Sequence, residues 1–332
     1  MTEPPRDASA PPVVRVADEF TLIDRILAEQ PAGLEDGVRV AAGDDAAVIT
    51  PPAGAELVVS VDTLVEDVHF LAGTAPALVV HRALAVNLSD LAAMGAAPGP
   101  CLLALVHPDL DPATATAIGR GFAAAAAGTG ARLVGGNLAR GPLSLSVTVQ
   151  GWVPRGEALL RAGARPGDLV CVSGILGAGA AGLAALLEDR DRLAEFEAAG
   201  DVPEAFRAYL TPIPRLGLGR ALRRLATACI DVSDGLLADL GHLLRASGVG
   251  AELDLERIPC TGPRDRALVA GDDYELLFTI PAPQAGRLEA LAASRGLPLT
   301  VIGRITAAAG LVLREEGRVV AAPDTLGWDH LR

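Results

Sequence analysis

The sequence predicts an α+β fold made of two α/β-type domains. Strand and helix patterns are mixed in both halves of the 332-residue chain without strict β-α-β alternation, which favours this class over one doubly wound sheet. Half of the residues are apolar, which is enough to fill two buried cores. Residues 153–167 contain two prolines and three glycines, so we place the domain boundary there. We therefore expect a loose tail at 1–18, an N-terminal domain at 19–153 and a C-terminal domain at 154–332.

A short amphipathic helix opens the first domain. Its apolar residues Leu22, Ile23, Ile26 and Leu27 recur at helical spacing between Phe20 and Glu29. Thr21 stands where an N-cap is expected. The tail before this helix is rich in proline and mixed in charge, without the basic and apolar regions of a signal peptide.

Two further helices and four strands complete the first domain. The pattern predicts a helix over Val79–Met94, which places Asn87 and Asp90 on one face. A helix over Ala113–Ala127 follows the start signal Asp111-Pro112. Strands are expected at Leu57–Val61, Leu102–Val106, Arg132–Val134 and Leu143–Trp152.

The second domain combines short strands with helices rich in Ala or Leu. One helix is expected at Ala178–Leu187, and a helix with a leucine stripe follows Asp231. The segment 188–209 is highly charged and helical in tendency, so we expect an exposed excursion. Strands are expected at Leu169–Ser173, Thr227–Ile230, Leu276–Ile280, Thr300–Ile302 and Leu311–Leu313.

The charge balance excludes several functions. All 28 basic residues are arginine, so the chain has neither a Walker A lysine, nor a protein-kinase lysine, nor a lysine for Schiff-base chemistry. The formal net charge of -13 argues against nucleic acid or an anionic membrane as a partner. The apolar stretch 83–106 is interrupted by Asp90, Pro98 and Pro100, which argues against a membrane span. We expect a cytoplasmic protein.

The four cysteines, Cys101, Cys171, Cys229 and Cys260, are far apart in the sequence and form no CxxC motif. Each lies in or beside an apolar segment. Buried thiols are therefore favoured over a disulfide framework or a zinc site.

Five loops rich in aspartate are the most informative feature for function. Each lies at the edge of an apolar run, where carboxylates from distant parts of a chain can converge on one cleft. Hard cations such as Mg²⁺ take such oxygen ligands and bridge substrate phosphates, so the loops predict a metal-nucleotide site. They are Gly43-Asp44-Asp45, Ser60-Val61-Asp62-Thr63, Asn87-Leu88-Ser89-Asp90, Asp231-Val232-Ser233-Asp234-Gly235 and Gly271-Asp272-Asp273-Tyr274-Glu275.

Each loop also has a purely structural interpretation. The pairs after Gly43 and Gly271 could simply form turns. Ser233 could be the N-cap of the leucine-striped helix, or the free N–H groups of that helix could bind phosphate. Asp90 is harder to explain structurally, because a carboxylate inside an apolar helix needs a partner, and a metal ion is a good candidate.

A glycine motif and a few basic residues leave similar alternatives open. The G-x-G-x-x-G at 177–182 could bind a dinucleotide, but no acidic strand end follows about 20 residues later, so close helix packing is favoured. Taken alone, His69, Arg82, Arg140 and Arg161 are interpreted as surface or capping residues.

Five sequence blocks resemble a known family. In order and spacing they are similar to the thiamine-monophosphate kinases, which belong to a wider ATP-binding superfamily with aminoimidazole ribonucleotide synthetase. The resemblance runs from about Phe20 to the C-terminus. The blocks are GDDAA at 43–47, VDTLV at 61–65, AVNLSDLAAMG at 85–95, DVSDGL at 231–236 and DYEL at 273–276.

The resemblance implies the architecture, the reaction and the site. It implies a homodimer joined through a sheet or barrel of the N-terminal domains, with ATP and several Mg²⁺ ions in a cleft between the two domains of each subunit. The reaction would convert ATP and thiamine monophosphate into ADP and thiamine diphosphate, the last step of that cofactor's synthesis. By motif position, the metal ligands would be Asp45, Ser60, Asp62, Asp90, Asp231 and Asp234, with Asp44 beside them; Gly136, Asn137, Arg161 and Ser233 would contact ATP; and His69, Asp272 and Trp328 would lie near thiamine monophosphate.

Two departures from the family pattern and several rival functions qualify this assignment. Asn137 stands where the family usually has aspartate, and Asp272 where glutamate is common. Rival functions are another ATP-dependent enzyme of the superfamily, a catalytically silent nucleotide-binding dimer, and a simple carboxylate cation-binding protein. The chain lacks the cysteine near its start that a selenophosphate synthase would need, and the C-terminal cysteine of the hydrogenase maturation protein.

Overall fold

Helices and strands are mixed along the whole described chain, which confirms the α+β class. The computed structural model describes residues 18–31, 37–199 and 201–328; the predicted tail lies outside them except for Asp18. The strands are β1 Val38–Val40, β2 Val48–Ile49, β3 Ala55–Val65, β4 Ala97–His107, β5 Arg132–Arg140, β6 Ser144–Pro154, β7 Leu169–Ser173, β8 Ala228–Asp231, β9 Gly250–Asp254, β10 Leu276–Ile280, β11 Leu299–Thr306, β12 Gly310–Glu315 and β13 Arg318–Val320. The helices are α1 Glu19–Ala28, α2 Pro76–Ala93, α3 Pro112–Ala126, α4 Ala178–Glu188, α5 Arg192–Ala199, α6 Glu204–Leu210, α7 Leu216–Leu222, α8 Leu236–Ser247, α9 Arg264–Val269 and α10 Ala285–Arg295.

The first half forms a four-stranded sheet in the order β3-β6-β4-β5. Its inner face packs on α2 through buried residues of β6 such as Leu145, Val147 and Val149. Alternation along β3 leaves Val59 and Val61 on the opposite face, where more than half of each side chain is exposed. The sheet therefore has one buried face and one apolar face that is open to solvent.

The second half forms a seven-stranded sheet in the order β13-β12-β9-β11-β7-β10-β8. Helix α8 packs on one face of this sheet through its leucine stripe, and Leu236, Leu237 and Leu240 are completely buried. On β10, Leu277 faces this layer, whereas Phe278 faces the core around α2. The sheet is therefore covered on both faces.

Helix α2 is shared between the two halves. It is buried almost all round, as expected for a helix in the centre of a core. It contacts the four-stranded sheet as well as β8 and α7 of the second half. Gly219 of α7 lies so close that a Cβ at this position would collide with the carbonyl oxygen of Ala92. This close packing fixes the C-terminal turn of α2, which carries Asp90, against the second half.

Most predicted elements are confirmed, with bounds that differ by a few residues. The N-cap of α1 is wrong: Asp18, not Thr21, caps the helix, and its carboxylate accepts the Thr21 N–H at 2.8 Å. The prediction that residues 188–209 are exposed is also wrong in part. Phe196 of α5 and Phe206 of α6 are buried in a small cluster with Leu71. The helices α7, α9 and α10 and the strands β1, β2, β9 and β13 were not predicted.

The G-x-G-x-x-G motif packs a helix and does not form a dinucleotide-binding unit. Strand β7 pairs antiparallel with both β10 and β11, so no parallel β-α-β unit surrounds the motif. Gly179 approaches the backbone of Asp272 so closely that a Cβ would overlap it. Among the described residues, no helix has both the length and the apolar character needed to cross a membrane.

Candidate functional site

A cleft of about 860 Å³ lies between the two halves of the chain. It collects residues from the ends of β3 and α2, from the loop before α8, from the loop before β10 and from residues 325–328. Every predicted site residue lines it except Asp45, Gly136 and Asn137. The predicted residues in the cleft are Ser60, Asp62, His69, Asp90, Arg161, Asp231, Ser233, Asp234, Asp272 and Trp328.

Hydroxyl–carboxylate hydrogen bonds join the elements of one wall. Ser60 of β3 donates its hydroxyl to Asp90 Oδ2 of α2 at 2.5 Å. Ser89, the preceding residue of α2, donates to Asp231 Oδ2 at the end of β8 at 2.7 Å. The backbone N–H of Asp62 donates to the Asn87 side-chain oxygen at 2.8 Å. The last turns of α2 therefore bring acidic residues from both halves together.

The carboxylates of this wall repel one another. Burial raises the pKa of Asp231 to about 8, and the negative charges of Asp90, Asp239 and Asp62 add to this increase. Burial also raises the pKa of Asp90, although the hydroxyl of Ser60 and the charge of Arg161 oppose the shift. A cation between these groups would offset the repulsion and favour their ionised forms.

The donor set of this wall fits Mg²⁺. It consists of carboxylate and hydroxyl oxygens, the ligands that hard cations prefer. Within residues 18–31, 37–199 and 201–328, no three His, Cys, Asp or Glu side chains are arranged closely enough to form a metal site by themselves. Mg²⁺ is usually held by one or two carboxylates together with water and substrate phosphates.

The loop Asp231–Gly235 differs from its predicted geometry. Gly235, not Ser233, is the N-cap of α8. The N–H groups of Ser233, Asp234 and Gly235 all donate to Asp239 Oδ2, each at 3.1 Å. A carboxylate from the helix itself therefore occupies the donors that were predicted to be free for phosphate. Burial raises the pKa of Asp239 to about 7.

The opposite wall is organised around Arg82 of α2. Its guanidinium donates to Asp272 Oδ1 at 2.5 Å and to the carbonyl oxygen of His69 at 3.2 Å. The hydroxyl of Tyr274 also donates to Asp272, at 2.9 Å. Trp328 also lines the cleft. Its backbone N–H donates to the carbonyl oxygen of Asp234 at 2.9 Å, and more than half of the residue is exposed.

Comparison with known proteins decides the family. Two family models match, the AIR synthase related protein N-terminal domain over residues 43–153 and its C-terminal domain over residues 165–316. Thiamine-monophosphate kinase of Escherichia coli (strain K12) is 41% identical over 323 residues, which are 94% of this chain and 98% of the relative. The chain belongs to the thiamine-monophosphate kinase family. The resemblance recognised in the sequence is thereby confirmed.

Solved structures of this family have the same fold. The crystal structure of thiamine-monophosphate kinase from Stenotrophomonas maltophilia K279a has a TM-score of 0.79 and 44% identity, covering 91% of this chain and 98% of that chain. A structure described as AaThiL complexed with AMPPCP and TMP has a TM-score of 0.71 and 31% identity, covering 94% of this chain and 96% of that chain.

Three residues of the family motifs lie outside the cleft of this subunit. Asp45 is exposed in the loop between β1 and β2. Gly136 and Asn137 lie on β5, the strand of the four-stranded sheet furthest from β3, and both are exposed. Their roles in the family site stay predictions, as do the domain limits 19–153 and 154–332.

Several residues important to the site were missed in the sequence. Arg82 was interpreted as a surface or capping residue, but only 3% of it is exposed and it holds one wall of the cleft. The sequence does carry a signal for Arg82, because a charged side chain inside an apolar helix needs a partner, and Asp90 lies in the same helix with the same need. Ser89, Asp239 and Tyr274 were not recognised as organising residues, since only the folded chain brings their partners close.

Proposed function

We propose that this protein transfers the γ-phosphoryl group of ATP to thiamine monophosphate, giving ADP and thiamine diphosphate. The observation that carries the proposal is the acidic wall of the cleft, where Asp90 and Asp231 from the two halves lie beside Ser60 and Asp62. Membership of the thiamine-monophosphate kinase family supports it. The complex of AaThiL with AMPPCP and TMP supports the same pair of substrates.

Mg²⁺ is proposed as the metal. Several Mg²⁺ ions would be held, and the residues that would share them in this chain are Ser60, Asp62, Asp90, Asp231 and Asp234. When bound, Mg²⁺ neutralises phosphate charge and draws the two anionic substrates together. Asp45 is proposed as a further ligand from the family motif alone.

The transfer itself needs no strong base from the protein. The attacking group, the phosphate of thiamine monophosphate, is already anionic at neutral pH, so we assign no general base to the chain. We propose direct in-line transfer without a phosphoenzyme, in which the protein positions the two substrates and spreads their charge. Arg161 lines the cleft and its charge acts on Asp90, so it would supply positive charge for the ATP phosphates; Ser233 would supply a polar contact.

The wall of Arg82 is proposed to bind thiamine monophosphate. Asp272 presents a carboxylate whose side chain is 28% exposed. The thiazolium ring of the substrate is a cation, so this carboxylate would attract the organic part of the molecule. His69 and Trp328 flank the same part of the cleft and complete the proposed substrate contacts.

A homodimer is proposed to complete the nucleotide site. The four-stranded sheet ends in two open edges, β3 and β5, and its outer face exposes Leu57, Val59 and Val61. Open edges beside an exposed apolar face are typical of an interface. A second copy packed on this sheet would cover the apolar face, and its Gly136 and Asn137 would approach the cleft from outside the subunit.

The expected setting is the cytoplasm. The four cysteines are free, and three of them are buried. Free thiols are common where the surroundings are reducing.

The decisive test is ³¹P NMR of the purified protein with ATP, Mg²⁺ and thiamine monophosphate. We expect the signals of ADP and of a new diphosphate to grow together. A catalytically silent nucleotide-binding dimer, the rival that Asn137 makes conceivable, would leave both substrates unchanged. If ATP were hydrolysed to free phosphate without a new diphosphate, another ATP-dependent activity would be indicated.

A further inference from the structure

We propose that Arg82 is a positioning residue for thiamine monophosphate, which sets the place of Asp272 and of the His69 backbone in the cleft. This inference rests on the proposed function and assigns a role to a residue outside the family motifs discussed above. Arg82 acts through its neighbours and is not itself proposed to contact the substrate.

Arg82 joins three segments that are distant in the sequence. Its Nη2 donates to Asp272 Oδ1 at 2.5 Å, its Nε to the carbonyl oxygen of His69 at 3.2 Å, and its Nη1 to the carbonyl oxygen of Tyr209 at 2.5 Å. The planar guanidinium has donors pointing in fixed directions, so one side chain ties the three segments together with a defined geometry. A lysine ammonium at the same position keeps the charge but loses this geometry.

Burial makes these bonds strong. Only 3% of Arg82 is exposed, and its guanidinium lies over the ring of Tyr209, 4.4 Å from the ring centre. The guanidinium also lies over the ring of Tyr274, 5.8 Å from the ring centre. Charge-assisted hydrogen bonds shielded from water hold their partners more tightly than exposed ones. Little of Arg82 is left for direct contact with a substrate.

Asp272 is held in a conformation that requires such support. Its backbone φ is +68°, and that of Tyr274 is +51°, a left-handed region that side chains rarely adopt. The N–H groups of both residues donate to carbonyl oxygens of the loop before α8, Ser233 and Val232 respectively. The Tyr274 hydroxyl and Arg82 then both bind the same oxygen of Asp272. Strain maintained by surrounding contacts is a feature of functional sites.

The position of Asp272 matters because binding depends on alignment. Loss of one charge-assisted hydrogen bond weakens binding by about tenfold. Loss of the Arg82 fork would remove one of the two hydrogen bonds to Asp272 Oδ1 described above and the bond to the His69 carbonyl oxygen at the same time. The expected result is weaker binding of the organic part of thiamine monophosphate, with the ATP side little affected.

The test is Arg82→Lys, which keeps the positive charge. We expect KM for thiamine monophosphate to rise about tenfold, while KM for ATP changes less than about twofold. Thiamine, which has the same organic part but lacks the phosphate, is added as a competitor, and its inhibition constant is expected to rise by the same factor as KM. If only thiamine monophosphate were affected and thiamine were not, Arg82 would be a phosphate ligand and the proposal would be overturned.

The matched control is Arg215→Lys. Arg215 also pairs with a buried carboxylate, since its Nε donates to Glu275 at 2.8 Å. That carboxylate lies against Ser173 and Gly174 and does not face the cleft. We expect a lower melting temperature without a change in either KM. Equal changes of KM in both variants would show a general effect of destabilisation and would overturn the proposal.

Tyr274→Phe decides the matter if Arg82→Lys does not fold. It removes the second hydrogen bond to Asp272 and leaves Arg82 in place. We expect a rise of about threefold in KM for thiamine monophosphate and in the thiamine inhibition constant. If KM for thiamine monophosphate and the thiamine inhibition constant were both unchanged, the proposal that the position of Asp272 controls substrate binding would be contradicted. Failure of the proposed function is recognised separately, because the wild-type protein would then produce no thiamine diphosphate.

Discussion

At the scale of a single residue, Asp90 combines a structural role with its proposed role as a metal ligand. It accepts the Ser60 hydroxyl, and its charge lies close to that of Asp231. In Asp90→Asn an amide oxygen can still accept from Ser60, but one negative charge is lost. We expect kcat at limiting Mg²⁺ to fall about a hundredfold. Mg²⁺ with an ATP analogue should also raise the melting temperature less than in the wild type. Steady-state kinetics and calorimetry measure both effects.

Asp111→Asn is the control for this charge change. Asp111 is exposed and caps α3 through one carboxylate oxygen, which an amide oxygen can replace. We expect its kcat and its response to Mg²⁺ to match the wild type. Full turnover of Asp90→Asn at limiting Mg²⁺ would contradict the assignment of Asp90 as a metal ligand.

Asp273 gives a prediction for the pH dependence of stability. Burial raises its pKa to about 7, although the N–H groups of Gly177 and Gly179 oppose this. An unfolded aspartate ionises near pH 4, so the folded state binds the extra proton between about pH 4 and about pH 7. The free energy of unfolding should therefore decrease as the pH rises through this window. Asp273→Asn lacks this contribution.

Urea unfolding at about pH 4 and about pH 8 tests this sign. We expect the free energy of unfolding of Asp273→Asn minus that of the wild type to be larger at about pH 8 than at about pH 4. The exposed Asp24→Asn on α1 is the control and should follow the wild type. A constant difference between Asp273→Asn and the wild type at both pH values would show that Asp273 ionises normally in the folded protein.

At the scale of the element, the start of α8 depends on a carboxylate four residues into the helix. Asp239 accepts the N–H groups of Ser233, Asp234 and Gly235. Asp239→Ala removes the acceptor of these three donors, of which Gly235 is buried and the other two half-buried, so we expect a loss of about 3 kcal/mol in the free energy of unfolding. The loop carries proposed ligands, so KM for ATP should rise as well. Asp239→Asn keeps one acceptor oxygen, and its losses in denaturation and kinetics should be smaller. Equal behaviour of both variants would count against this description of the loop.

Elements whose own residues set the pattern could be predicted from the sequence. The leucine stripe predicted α8, and the apolar runs predicted β7 and β10 with the observed bounds. Short or exposed elements such as β13 and α9 carry too few apolar residues to give a period. The excursion was judged exposed because charges separate its apolar residues, yet Phe206 packs against residues distant in the sequence.

At the scale of the whole molecule, the site could be predicted in part. Asp90 was recognised because a carboxylate in an apolar helix needs a partner, whereas the same argument was not applied to Arg82. The aspartate loops predict one shared cleft by themselves, but the role of each residue toward metal, ATP or thiamine monophosphate came from the family resemblance. In the sequence, Asp239 looks like an ordinary polar residue of the amphipathic helix α8. Nothing in the hydrophobic pattern shows that its carboxylate accepts hydrogen bonds from the preceding loop.

The proposed dimer is expected to be needed for activity, because residues of both copies would form the nucleotide site. Val59, at the centre of the exposed face of β3, is 56% exposed. Val59→Arg would place a charge in the apolar interface, so we expect a monomer in analytical ultracentrifugation where the wild type is a dimer. The matched control is Val319→Arg, since Val319 is 64% exposed and lies on β13, the edge strand of the seven-stranded sheet. This variant should stay dimeric and active. The second copy is proposed to contribute Gly136 and Asn137 to the nucleotide site. The Val59→Arg monomer should therefore bind ATP more weakly, while its melting temperature changes little. A wild-type protein that is monomeric and fully active would contradict both the dimer and this role of β5.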